Sequence, residues 1–142
     1  MDFNKYEDFE RGLKERYPSM FTNLWGGVSV GEGWWPIIES LCYQIHSHVK
    51  WKNEQRDQHN RGEGCPEVSV EQVKEKFGGL RFYYTGGNDI IDGMVRMAES
   101  WAAHSCETCG KPGERRGGGW IRTLCDEHEA EYQARTKERS GS

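Results

Sequence analysis

At 142 residues the chain is long enough for one domain plus a small appendage, and only 35% of it is hydrophobic. Its mean hydropathy of −0.92 implies a small core, in which six Trp, six Tyr and five Phe must carry much of the buried area. A net charge of −4 excludes a general nucleic-acid coat, though not a local basic patch, and no apolar run is long enough to span a membrane.

The opening Met1-Asp2-Phe3-Asn4 has neither the basic nor the apolar part of a secretory leader, so a reducing, cytoplasmic setting is expected. Asn4 followed by Glu7 predicts a capping box, and Tyr6, Phe9, Leu13 and Tyr17 recur at helical spacing until Pro18. Met20, Phe21, Leu24 and Trp25 make a short apolar cluster before Gly26-Gly27, and Val28 and Val30 predict a brief strand. Trp34, Ile37, Ile38, Leu41, Cys42, Ile45 and Val49 mark an amphipathic helix with Pro36 in its first turn. Cys42 falls on that stripe and reads as a small buried hydrophobe. His46 and His48, two apart on a helix, point to different sides and would not share a metal. From Lys50 to Gly64 the pattern is a polar helix tail and a mobile loop, with Cys65 lacking any partner that the sequence names.

Residues 68–85 predict a β-hairpin turning at Gly78-Gly79. Alternation puts Val73, Phe77, Leu80, Phe82 and Tyr84 on one face and Lys74, Lys76, Arg81 and Tyr83 on the other. Three cations and a phenol on one side form a candidate anion-binding surface, with Arg81 able to donate as a fork. The same residues also solvate the outer face of a sheet equally well, and a helix from Ser69 to Phe77 is the rival reading. Gly86-Gly87 leads into an Asn88-Asp89 helix cap, where free N–H groups form a weaker anion site. The helix that follows, about Asp89 to His104, is expected to bury Ile90, Ile91, Met94, Met97, Ala98 and Trp101.

Cys106-Glu107-Thr108-Cys109-Gly110 comes next and, with fifteen residues between Cys109 and Cys125, is followed by Cys125-Asp126-Glu127-His128. Two donor pairs with this spacing predict a tetrahedral zinc site made by Cys106, Cys109, Cys125 and His128. A Cys-x-x-Cys knuckle brings two thiolates together from one turn, and Asp126 to Arg139 reads as a helix presenting the second pair. With all four positions filled by protein, the ion is expected to be structural. Glu107, Glu127 and Glu129 are near enough in sequence to serve as a base beside a catalytic zinc, and are equally well explained as solvated residues and helix-start charges. Between the pairs, Arg115, Arg116 and Trp120 among glycines either stack a base and meet phosphates or fold Trp120 back as a lid on the metal. The lid is the preferred reading.

The expected fold is therefore α+β: helices on a small antiparallel hairpin or sheet over residues 1–104, a treble-clef or zinc-ribbon-like module over 105–132, and a charged tail over 133–142. The strings 73–84, 106–113 and 119–128 together resemble a family of small bacteriophage and prophage zinc-knuckle proteins carrying a Val-Lys-Glu-Lys-Phe-Gly-Gly-Leu-Arg-Phe-Tyr-Tyr-type segment. That resemblance brings no activity with it. It implies a setting, an accessory protein or host-defence antagonist in the host cytoplasm that sequesters a signalling nucleotide. Leu124 to His128 is also similar to the zinc knuckle of HNH nucleases, but those need further His ligands, and residues 105–127 contain no His.

With no nucleophile–base pair and no second ligand cluster, the expected role is non-catalytic. The leading expectation is binding of an anionic small molecule or nucleotide through Lys74, Lys76, Arg81 and Tyr83. The alternatives are a host-protein adaptor using Trp34, Trp35 or Trp51, and a nucleic-acid module using Arg115, Arg116 and Trp120.

Overall fold

The computed structural model describes residues 3–141. Helix α1 (Phe3–Arg16) buries Leu13 and, just past its end, Tyr17, while Phe9 stacks on Trp35 with ring centroids 4.4 Å apart. Asn4 is already helical, so it does not cap α1 as the Asn4/Glu7 spacing predicted. A 3-10 turn at Pro18–Met20 follows, then strand β1 (Val28–Ser29) and a second 3-10 turn at Glu32–Trp34.

Helix α2 (Trp35–His59) carries the predicted stripe, with Ile37, Ile38, Leu41, Cys42, Ile45 and Val49 all buried. It continues well past Lys50 and ends where Asn60 takes a left-handed φ of 51° and donates its N–H to Gln55 O. Trp34 at its start is fully buried, and its indole Nε1 donates to Ser105 O at 2.8 Å. It is therefore unavailable to the adaptor surface expected of it, whereas Trp51 is exposed.

Strands β2 (Ser69–Lys76) and β3 (Gly79–Thr85) form the hairpin, which disposes of the helical reading of 69–77. The turn is displaced by one residue from the expected Gly78-Gly79. Lys76 pairs with Gly79, and the two turn residues are Phe77 and Gly78, with φ of 53° and 80°. Two positive φ values are what a type I′ hairpin needs, and its twist matches that of the strands. Phe77 consequently leaves the apolar face and stands 60% exposed at the tip. An irregularity between Val70 and Gln72 resets the alternation, so Val70 and Val73 are both buried, with Leu80 and Phe82 also buried on β3. β1 pairs with β2 in parallel, Val28 opposite Val73, which makes the three-stranded sheet mixed, in the order β1-β2-β3.

Helix α3 (Asp89–Ala102) is capped by Asn88, whose side chain accepts from Ile91 N. It buries Ile91, Val95, Ala98 and Ala102. The expected face is thus rotated. Ile90, Met97 and Trp101 are exposed, because the small Ala98 and Ala102 and the branched Val95 form the surface that approaches α2. The architecture is α+β, with the buried apolar stripes of α1, α2 and α3 sharing one core with the sheet.

Beyond α3, strands β4 (Glu114–Arg116) and β5 (Arg122–Leu124) form a two-stranded antiparallel sheet, and α4 (Asp126–Gly141) leaves it. The residues set apart as a charged tail from 133 onward are helical as far as Gly141. Cys106, Leu124 and Cys125 make a second small core with Tyr132 against it. Among the described residues no helix is long and apolar enough to cross a membrane.

Candidate metal centre and adjoining cleft

The knuckle is built by backbone hydrogen bonds: Cys106 N donates to Lys111 O and Gly110 N to Cys106 O, both at 2.8 Å. Gly110, at φ 83°, closes this turn. Glu107 N donates to Thr123 O, which lays the knuckle along β5. Cys125 precedes α4 and His128 lies in its first turn, so helical spacing aims both at the knuckle.

Here the sequence-predicted set converges: the ligand atoms of Cys106, Cys109, Cys125 and His128 all lie within 4.8 Å of one another. Cys109 Sγ and Cys125 Sγ are 3.8 Å apart, and His128 Nδ1 is 3.2 Å from Cys125 Sγ and 3.7 Å from Cys106 Sγ. Such a group can hold a metal ion. Burial pushes the Cys106 thiol up, but backbone N–H groups of Cys125, Cys109 and Thr108 aimed at the sulfur outweigh it and bring the pKa down to about 6. These N–H groups thus favour the thiolate, the form a metal requires.

Glu107 is not the solvated charge the sequence implied. It is 7% exposed, its Oε2 accepts from Gly31 N at 2.9 Å and its carbonyl accepts from Gly33 N at 2.8 Å. Burial raises its pKa, while the Gly31 N–H and the charge of Arg122 pull it back. Gly33 allows this approach because it has no side chain: a Cβ there would overlap Cys106 O and lie 2.6 Å from Gly110 N. A second bridge ties the hairpin to the module, where Thr123 Oγ1 donates to Gly78 O at 2.6 Å.

That bridge brings two separately predicted regions together. Glu75, Lys76 and Phe77 at the hairpin tip share a cleft of about 330 Å³ with Gly119, Trp120 and Ile121. Trp120 is 65% exposed, so it is not a lid over the metal. A second cleft of about 470 Å³ continues past Trp120 and Glu75, lined also by Tyr6, Val28 to Gly31, Glu107 and Arg122.

No protein-family model matches this chain, and no curated protein or solved structure matches it either. The chemistry has to be read from the side chains themselves.

On the outer face of the hairpin, Lys74 lies directly across from Arg81, and Lys74 Nζ sits 5.7 Å from the centre of the Tyr83 ring. Lys74, Arg81 and Tyr83 thus share a face as expected, and Lys76 adjoins them at the tip with its Nζ over Phe77. Arg115 is exposed on β4. Arg116 is instead a structural pin. Its guanidinium donates twice to Leu124 O and once to Asp126, fastening β5 to the start of α4. In the loop ahead of α3, Gly87 N donates to Pro66 O and Ile91 N to Asn88, so those two N–H groups are already used and the weaker anion site loses them.

Sequence reasoning misplaced Phe77 on the apolar face and Glu107 in solvent, and passed over Gly33. Only Phe77 left a usable signal: a Phe-Gly pair standing where a two-residue hairpin favours Asn-Gly.

Proposed function

We infer that this chain is a zinc-stabilised, non-catalytic binding protein for a planar anionic small molecule of the nucleotide class. The observation that carries the reading is Phe77. A bulky residue at positive φ in an exposed turn is strained by roughly 1–3 kcal/mol, and an Asn in its place would relieve that strain. The strain is understandable if the ring is needed where it stands, lining one cleft with Trp120 and Lys76. Two aromatic faces with the Lys76 ammonium suit a base with its phosphate, while Glu75 in the same cleft is held by its bond from Gly78 N. Lys74 opposite Arg81 adds to this, because like charges directly across a ladder repel unless an anion lies between or beside them.

For the ion, zinc fits the donor set of three thiols and one imidazole. Zinc–sulfur bonds of about 2.3 Å at tetrahedral angles place neighbouring sulfurs about 3.8 Å apart, which agrees with the 3.8 Å between Cys109 and Cys125. Four protein ligands leave no position for substrate, so the ion's contribution is structural. Knuckle, β4–β5 hairpin and ligand-bearing helix follow one another in treble-clef order. The phage-antagonist setting is supported only by the resemblance of the sequence strings.

The test is a thermal-shift panel of nucleotides and cyclic dinucleotides on the zinc-loaded protein. Wild type should be stabilised by at least one member, and Arg81→Ala, Phe77→Ala and Trp120→Ala should lose that shift. A flat panel with wild type would remove the reading. The exposed Met97 and Trp101 beside α2 favour a second reading, a protein-partner adaptor. Co-purification of a stoichiometric protein, lost in Met97→Glu, would select it.

A further inference from the structure

The cleft beyond Trp120 has a composition that the hairpin face lacks. Arg122 and Glu107 line it together, with Glu75 beside them and the rings of Tyr6 and Trp120 as walls. Glu107 is held rigidly, since its Oε2 is fixed by Gly31 N and its backbone by Gly33 and Thr123. Arg122 is oriented by the Tyr132 ring, 5.7 Å from its guanidinium carbon, and its enclosed Nε has no hydrogen-bond partner.

We propose that this compartment is a base-selecting subsite for a guanine-type edge, a proposal that rests on the nucleotide reading above. A guanine presents two adjacent N–H donors, at N1 and N2, beside the O6 acceptor. A carboxylate next to a guanidinium is the complement of that row: Glu107 accepts from the two donors while Arg122 donates to O6. The aromatic walls stack the ring, and the phosphate end passes Trp120 toward Lys76 in the adjoining cleft. Adenine and uracil each offer a single donor group on the same edge, and the uracil N3–H is flanked by carbonyl oxygens that a carboxylate repels. The subsite therefore discriminates by leaving a buried polar group unpaired with the wrong base.

Calorimetric titration of the full, zinc-loaded chain with guanosine, adenosine and uridine monophosphates and with pyrophosphate tests this. The guanine nucleotide should bind at least about tenfold tighter than the other two. Glu107→Gln, which places an amide donor among guanine donors, should bring the ratio close to one without abolishing nucleotide binding. If that variant fails to hold one zinc per chain, Arg122→Lys serves instead and should lower the same ratio severalfold. Equal affinity for all three nucleotides, with binding lost in Trp120→Ala, would overturn the base selection and leave the nucleotide reading standing. No binding of any of the four probes would overturn the base selection, and a flat thermal-shift panel beside it would overturn the nucleotide reading as well.

Discussion

Gly33 shows how much of this protein turns on single atoms. Its Cα hydrogen faces the knuckle, and a methyl group there has nowhere to go, because the obstacles are backbone atoms of Cys106, Glu107 and Gly110. Gly33→Ala should cost more than about 2 kcal/mol and weaken zinc retention, read by denaturant titration and by metal content after gel filtration. Cys42 makes a different point. Burial pushes its thiol up to about 12 from an ordinary 9.0, so the protonated form is favoured by folding. Its stabilising contribution is complete below about pH 9 and is lost as pH rises toward 12. Urea titrations across that window should fall less steeply for Cys42→Ala than for wild type, and the native thiol should resist alkylation at pH 8.

At the scale of elements the hairpin is the most exposed to test. Phe77→Asn relieves a strained turn and should raise stability by roughly 0.5–1 kcal/mol while abolishing ligand binding. Thr123→Val removes the buried hydroxyl that receives the hairpin and leaves Gly78 O without its donor, so it should destabilise by about 1–3 kcal/mol. Opposite signs of stability change from two neighbouring contacts would separate presentation of the ligand from support of the scaffold. Helix α3 explains why apolar periodicity alone misplaced its face. Its apolar residues cover more of the helix than α2 can bury, and the choice among them fell to Ala98 and Ala102, whose small size permits close packing.

For the whole molecule, the third that carries the candidate metal centre and the main core meet at Gly31 to Trp34, Glu107, Ser105 and the Thr123–Gly78 bridge. Removing the ion should therefore loosen more than the ligands. A chelator should abolish hydrogen-exchange protection over 105–128 and raise exchange at 31–34 and 76–79, while the centre of α2 stays protected. Cys106→Ser should reproduce that pattern without chelator and contain no stoichiometric zinc. The same coupling would tie metal retention to the proposed ligand binding, since Trp120 and Arg122 line clefts whose other wall includes Glu75 of β2, and β5 is fastened to that hairpin through Thr123 and Gly78.

The sequence by itself determined the convergent quartet of Cys106, Cys109, Cys125 and His128, the stripe of α2, the cap at Asn88 and the shared face of Lys74, Arg81 and Tyr83. Each of these depends on spacing within a helix, strand or knuckle, and spacing is a local property. Which way the excess aromatics point, that Phe77 occupies the turn, that Glu107 is buried, and that the hairpin tip meets the Trp120 loop were decided only by tertiary structure. Those outcomes rest on contacts between residues dozens of positions apart, such as Gly31 with Glu107 and Gly78 with Thr123. No local period encodes them, because the space available at each position is set by a partner from elsewhere in the chain.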